Sequence, residues 1–457
     1  MNAHYDIVIL GAGLTGLTMA HKLKDSDQSV LVLEKNDRPG GVIGTQRENG
    51  FIYEEGPNTG IVKYGEVAEL FDELNDYCKP FIPDESVKKR YIWKNDRWEK
   101  LPSGLKEGIK TPLFSRKDKF RILGEPFRKP GRNPEETLDA MVRRRMGETF
   151  LHYAVDPFIL GVYAGDPSMI VPKYALPKLY YLEQDYGSFI GGAVKKKFEK
   201  KDEMEKKATK NVFSVKGGLS NLTTALYKSA GKDRFLFNIE GLKVKPESNH
   251  FEVEFQHQGK NGKIKANRVI STVGAYELPS IFPFLDKGDI NDITNLKYAK
   301  VVQAAVGFKN WQGPQLDGFG GLVPHIEKRD ILGALFMSSF LPDRAPDGGQ
   351  LFAIFMGGIR REELYEKSDQ QLTGLLEKEM KHMFGLNQFQ PDLLRFHRYQ
   401  YAIPQYGKES SKRFKSIKKI ENQHKGLIIA GNLKGGIGMA DRIKQAADIA
   451  EMLHNQL

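Results

Sequence analysis

Three glycines, Gly11, Gly13 and Gly16, stand in a GAGLTG loop directly after the apolar run 5–10 (YDIVIL). A carboxylate, Glu34, follows a second apolar run, 30–33, about 18 residues beyond Gly16. These residue types at this spacing bind a dinucleotide. The first glycine permits a tight turn, the second lets backbone approach a pyrophosphate, and the third lets a helix pack closely on a strand. The N-terminus of that helix then offers free N–H groups to the phosphates. An acid at position 34 accepts hydrogen bonds from ribose hydroxyls and disfavours a 2′-phosphate. NAD and FAD are not distinguished by these residues.

Other chemistry is sparse. The single cysteine, Cys78, excludes an internal disulfide and a Cys-rich metal site, which fits a reducing compartment. His152, His250, His325 and His397 are scattered singly, and no His/Asp/Glu set has metal-ligand spacing. We therefore assign no metal site and no catalytic side chain from sequence. The net charge of +11 favours acidic partners such as nucleic acid, an anionic membrane face or a carboxylate substrate, without choosing among them. Basic residues gather at Arg143, Arg144 and Arg145 and along 195–207, where interspersed acids suggest a solvated helix face.

A chain of 457 residues implies two or three domains. The first apolar run leads straight into glycines, unlike a signal peptide, and no run of about 18 apolar residues occurs, so a cytoplasmic protein is expected. Patterning predicts strand 5–10, helix 14–24 and strand 30–33 around the glycine loop. From about 109 to 211 the character is helix and loop, with a helix predicted over 134–153 and Asn133 as its N-cap. Strands follow at 212–216, 251–256 and 268–272, with a helix after Gly217 and Gly218 that places Leu222 and Leu226 on one face. A second sheet is expected over 300–358 and a helix over 370–384. Finally a strand at 427–430, a turn with Gly431, Gly435, Gly436 and Gly438, and a helix over 440–453 repeat the opening pattern.

A second glycine pair, Gly40 and Gly41, follows Glu34. Simple NAD enzymes have no need of it. In two-dinucleotide flavoproteins such a loop brings backbone N–H groups to the remaining phosphate and the ribityl chain, and Arg38 adds positive charge there. Together with RPGG (38–41), the sequences EEGPNT (54–59), LGVYAGDP (160–167), FSVKGGLSNL (213–222), VISTV (269–273), GFGGLVP (318–324), LGALFMSSFLPDRAP (332–346), AIPQY (402–406) and GNLKGGIGMAD (431–441) span nearly the whole chain. On these the chain resembles the flavin-containing amine oxidase superfamily, and within it the oxygen-dependent protoporphyrinogen/coproporphyrinogen oxidases.

The resemblance implies an α/β (α+β overall) fold: a discontinuous Rossmann-like FAD-binding domain (1–85, 212–283, 417–457), a mixed-sheet substrate domain (86–108, 284–416) and a helical insertion (109–211). It implies non-covalent FAD held by Gly11, Ala12, Gly13, Leu14, Thr15, Gly16, Glu34, Lys35, Arg38, Gly40, Gly41, Val42, Gly56, Pro57, Asn58, Thr59, Val244, Asn432, Ile437, Gly438 and Met439. Val42 replaces a larger residue of some members, so its contact runs through backbone. The substrate cavity maps to Arg90, which would pair with a propionate, and to Leu322, Leu335 and Phe355, which would sandwich a macrocycle. By residue type alone, an arginine after Lys88 and Lys89 is a surface cation and the three apolar residues are core. The implied reaction removes six electrons from protoporphyrinogen IX, with three oxygen molecules reduced to hydrogen peroxide; coproporphyrinogen III is the nearest rival, and an amine oxidase or desaturase fits the middle motifs less well. Implied partners are a tetrapyrrole carrying propionates, oxygen and, through 109–211, the inner face of the cell membrane, but no nucleic acid; a homodimer is compatible.

Overall fold

A computed structural model describes residues 3–84, 87, 89–200 and 202–455. Strand β1 (His4–Leu10), helix α1 (Leu14–Lys22) and strand β2 (Val30–Leu33) open the chain. β1 and β2 pair in parallel, Ile7 opposite Val30 and Leu10 opposite Leu33. β1 reads as an unbroken apolar run because both of its faces are covered. Ile7 and Ile9 enter the core shared with α1, whereas Val8 and Leu10 enter the core on the opposite side. Strand β3 (Phe51–Glu54) follows, paired with Thr45–Glu48 in a small hairpin.

Strand β4 (Arg90–Lys94) begins the second sheet. The chain then leaves for a series of short helices. The helix predicted from residue 134 starts instead at Leu138, with Thr137 Oγ1 accepting Ala140 N–H at 3.4 Å. Asn133 Oδ1 accepts Glu135 N–H at 2.9 Å, an Asx turn that diverts the backbone from helix. The basic run 195–207 splits between the end of helix Phe189–Lys197 and helix Glu203–Lys207. It is two helix ends rather than one helix face; Lys201 lies outside the described residues. A π-helical turn, Leu151–Val155, leads into α2 (Asp156–Tyr163).

Strand β5 (Lys260–Ser271) returns to the first sheet, parallel to β1. Strands β6 (Tyr298–Phe308), β7 (Gly320–Leu322), β8 (Gly333–Phe336), β9 (Gln350–Gly357) and β10 (Leu393–Pro404) then complete the second. Its order is β10, β6, β9, β8, β7, β4 and Arg97–Lys100, antiparallel except where β7 runs parallel to β4. Helix Asp369–Phe384 covers one face through Leu372, Leu376 and Met380. Helix α3 (Ser410–Gln423), strand β11 (Leu427–Ile429) and helix α4 (Met439–His454) finish the first sheet, with β11 parallel to β5 and α4 packed in the core of α1. The result is α/β with two mixed sheets.

β11 is an edge strand, and side chains cover its outward donors. Ile429 N–H donates to Glu421 Oε1 at 2.9 Å and Gly431 N–H to Gln445 Oε1 at 2.8 Å. This protection keeps the edge from pairing with another chain.

Candidate active site

The three glycines of the first loop act in three different ways. Gly11 has φ +100°, a conformation that side chains rarely adopt. A Cβ on Gly16 would lie 2.0 Å from Gly11 O, so helix and loop could not approach as they do. A Cβ on Gly13 would meet nothing within 4 Å. That open space stands at the start of α1, whose first turn carries no acidic residue and whose N-cap offers no side-chain bond. A phosphate fits such a helix end.

The later loops stack onto the first. Gly40 N–H donates to Ala12 O at 2.8 Å, and a Cβ on Gly41 would lie 3.2 Å from Gly13 Cα. A Cβ on Gly56 would sit 2.1 Å from Val42 O. Loop 40–42 is thus wedged between loops 11–16 and 56–59 by backbone contacts that only glycine permits. Val42, 63% exposed, turns an apolar side chain outward beside these loops. Asn58 is buried and donates to Gly56 O.

Glu34 is buried, with Oε2 accepting Ala12 N–H at 2.6 Å and Oε1 accepting Asn36 N–H at 2.9 Å. It braces the loop as well as standing where a ribose is expected. Arg38 is similarly occupied: Nη1 donates to Ile43 O at 2.9 Å, and Nη2 lies 3.9 Å from Glu55. Its role in this structure is to close loop 38–44, not to offer an unshared charge. Lys35 pairs with Glu277 at 2.6 Å, and Val244 is buried opposite Val253 in the flank of the first sheet.

The C-terminal turn closes the ring of loops. Tyr406 Oη lies 2.8 Å from Asn432 O and 3.1 Å from Gly436 O, its proton shared between them. Arg442 donates to Lys434 O and Gly436 O. Asp441 accepts Gly438 N–H at 3.0 Å through Oδ2 and Lys63 Nζ at 2.6 Å through Oδ1. Ile437 packs against the cluster of Leu138, Ile159 and Tyr406, and Met439 lies in the core of α1.

Strand register relates the four residues expected to line a substrate cavity. Phe355 stands opposite Gly333, Gly333 opposite Leu322, Leu335 opposite Gly320, and Gly320 opposite Arg90. Because side chains alternate along a strand, Arg90, Leu322, Leu335 and Phe355 all project from one face. Three strand spacings separate β9 from β4, about 14 Å in all. The opposite face is the packed core of Trp93, Phe336, Phe352 and Ile354. Leu322, Leu335 and Phe355 are only half-buried, an incomplete cover for the middle of a sheet.

Arg90 is exposed, its guanidinium 5.6 Å from the Phe319 ring centre. Its side chain has no hydrogen-bond or ion-pair partner among the described residues, while the neighbouring Lys89 is paired with Asp317. Lys88 lies outside the described residues.

Several positioning residues were not evident from sequence. Glu54 and Arg344, 290 residues apart, pair at 2.8 Å with both side chains 0% exposed. Gln303 on β6 donates to Glu54 O, and Tyr399 on β10 donates to Glu55 O, so the second sheet grips the chain just before Gly56. Arg360 pairs with Asp156 and Asp166 at the two ends of the α2 segment. Burial alone would raise the Asp166 carboxyl, but hydrogen bonds from Arg360 and Ser168 hold it at about 2. A Cβ on Gly161 of α2 would lie 2.4 Å from Leu322 Cδ2, so α2 bears directly on the apolar face. The motifs had flagged the segments of Glu54, Asp166, Gly161 and Arg344, but not those of Asp156, Gln303, Arg360 or Tyr399. What they lacked was any sign of which partner each would meet.

Residues 14–440 match the family model of flavin containing amine oxidoreductases. The chain belongs to this family. It is 29% identical to protoporphyrinogen oxidase 2 of Arabidopsis thaliana, over 99% of this chain and 94% of that one. It is 22% identical to coproporphyrinogen III oxidase of Bacillus subtilis (strain 168), with 96% of each covered. Among solved structures, a protein from Exiguobacterium sp. 255-15, provisionally assigned as a protoporphyrinogen oxidase, aligns with TM-score 0.81 and 19% identity over the whole of both chains. A reduced UDP-galactopyranose mutase aligns with TM-score 0.75 and 14% identity, over 99% and 96%. Membership makes the chain a flavin-dependent oxidoreductase.

Proposed function

We propose that the chain oxidises a porphyrinogen to a porphyrin with non-covalently held FAD and oxygen as acceptor, protoporphyrinogen IX being the preferred substrate. One observation carries this: a half-buried apolar face, Phe355, Leu335 and Leu322, that runs about 14 Å and ends on Arg90. A flat apolar body with a carboxylate at its rim matches that arrangement. The Arg90 guanidinium holds the carboxylate through charge-assisted hydrogen bonds. The three apolar side chains flank the macrocycle and exclude water from it.

FAD, when bound, supplies the two-electron acceptor chemistry. The nested loops hold its phosphates, ribose and ribityl chain, and the first turn of α4 presents its positive end to negative charge on the ring. Lys63 offsets the Asp441 charge in that turn. Among the described residues we assign no side chain as the base. Burial pushes the Tyr399 hydroxyl up to about 12, so it keeps its proton near pH 7. Protons are lost to solvent or substrate nitrogen.

The test is anaerobic mixing with protoporphyrinogen IX or coproporphyrinogen III, followed by air. Bleaching and recovery of the flavin band support the reading, and the larger kcat/KM names the substrate. A flavin that neither porphyrinogen bleaches would sink it. Flavin released on denaturation establishes non-covalent binding.

Membrane docking is the second part of the proposal. Ile109, Phe120, Leu123 and Phe127 are 73%, 75%, 65% and 91% exposed amid Lys110, Arg116, Lys117, Lys119 and Arg128. Among the described residues no helix is long and apolar enough to cross a membrane. Exposed apolar side chains ringed by cations suit peripheral contact with anionic lipid. Flotation with anionic liposomes should fail for a Phe120→Ser/Phe127→Ser variant; equal flotation of both proteins would remove this reading.

A further inference from the structure

Three ammonium groups surround one phenol. Lys63, Lys178 and Lys444 place Nζ 4.9, 5.2 and 5.9 Å from the ring centre of Tyr64. Three separate segments deliver them: the stretch after Thr59, the helix Pro177–Tyr186 and α4. Lys63 is paired with Asp441, and Lys444 with Glu66 and Asp448. Lys178 pairs with no carboxylate among the described residues, and neither do Lys196 and Lys210. Burial and the positive fields of Lys63, Lys210 and Lys196 hold Lys178 below its ordinary value, so these cations stand close enough to repel one another. Tyr64 is also the N-cap of helix Gly65–Glu73, whose first N–H groups add to the positive field.

Five lysines from five segments, Lys210 beside Lys63 through its N–H bond to Val62 O, are set against three carboxylates, Asp441, Glu66 and Asp448. Such an excess of like charge is a cost to the fold unless an anion completes the cluster. We propose that Lys63, Lys178, Lys196, Lys210 and Lys444 around Tyr64 form a binding site for a small polyanion of the pyrophosphate type. Tyr64 is half-buried while Lys178, Lys196 and Lys210 are exposed, so the cations are open to a ligand from solvent. Occupancy has a route to the flavin turn. An anion that draws on Lys63 weakens its hold on Asp441, the residue that accepts Gly438 N–H. The site does not depend on the porphyrinogen reading.

Calorimetric titration of the flavin-loaded protein with pyrophosphate, at constant ionic strength and with the flavin absorption band followed in parallel, tests this. We expect one saturable site, binding weakened at least tenfold by Lys178→Met or Lys210→Met, and no change for the distant Lys287→Met. Absence of saturable binding, or equal affinity in Lys178→Met and Lys287→Met, would overturn the site. Binding without a shift of the flavin band would overturn the link to Asp441. Displacement of bound pyrophosphate by anionic vesicles would assign the natural anion to a lipid headgroup, and its retention to a soluble one.

Discussion

Arg344 Nη1 donates to Glu54 Oε1 at 2.8 Å, and neither side chain has any exposure to solvent. The same guanidinium reaches Ser214 Oγ at 3.0 Å, and Glu54 accepts Leu219 N–H and the Thr45 hydroxyl. One buried pair therefore joins the hairpin before Gly56, the strand Val212–Val215 and the turn after β8. Removing one partner leaves an uncompensated buried charge. Arg344→Leu should lower stability by about 3–5 kcal/mol. The double variant Arg344→Leu/Glu54→Gln should recover part of that loss. Urea unfolding of the three proteins measures both, and a near-neutral Arg344→Leu would show that the pair is dispensable.

Gly13 and Gly16 should fail differently when replaced by alanine. Gly16→Ala puts a methyl group 2.0 Å from Gly11 O and must shift backbone, so both apoprotein stability and flavin content should fall. Gly13→Ala meets nothing within 4 Å of the protein. Its apoprotein should unfold within about 0.5 kcal/mol of the parent while flavin affinity drops. Flavin content after dialysis, set beside the urea midpoint of each apoprotein, separates the two. Loss of apoprotein stability in Gly13→Ala would contradict the open space.

Arg90→Ala should raise KM about 10- to 100-fold for a porphyrinogen with free propionates, the worth of a charge-assisted hydrogen bond. Its effect on the corresponding ester should be small. Steady-state kinetics on acid and ester give the comparison. Equal losses on both would remove the carboxylate role.

The Asp166 carboxyl, held at about 2 in the folded chain against an unfolded value of 3.8, makes stability depend on pH with a definite sign. A depressed acid contributes fully above its unfolded value and loses the contribution as pH falls towards its folded one. Between about pH 5 and pH 2 the parent should lose up to about 2 kcal/mol through this group. Asp166→Asn should be less stable than the parent at pH 6, and the gap should narrow by pH 3. A constant gap would locate the effect in packing rather than in the charge.

The opening strand, helix and strand with their glycine loop were legible because they are local. Gly11, Gly13, Gly16 and Glu34 lie within one strand, helix and strand, and each residue's constraint comes from neighbours close in sequence. The helix predicted from residue 134 starts late on equally local grounds, because the Asn133 side chain closed a turn first. The apolar residues of the proposed substrate face were named only through resemblance. Nothing in the local pattern separates Leu322, Leu335 or Phe355 from Ile354 or Phe352, which are core.

By itself, then, the sequence determined the glycine loops, the acid after β2, the strands that alternate or run apolar, and the family. These rest on φ angles, side-chain size and periodicity, which act over a few residues. Tertiary structure alone decided that Arg90, Leu322, Leu335 and Phe355 share one face, since that depends on the register of four strands drawn from distant segments. It alone decided that Glu54 meets Arg344, that Asp441 meets Lys63, and that three lysines converge on Tyr64. Such pairings follow from where whole sheets and helices come to rest, and short-range patterns carry no record of that.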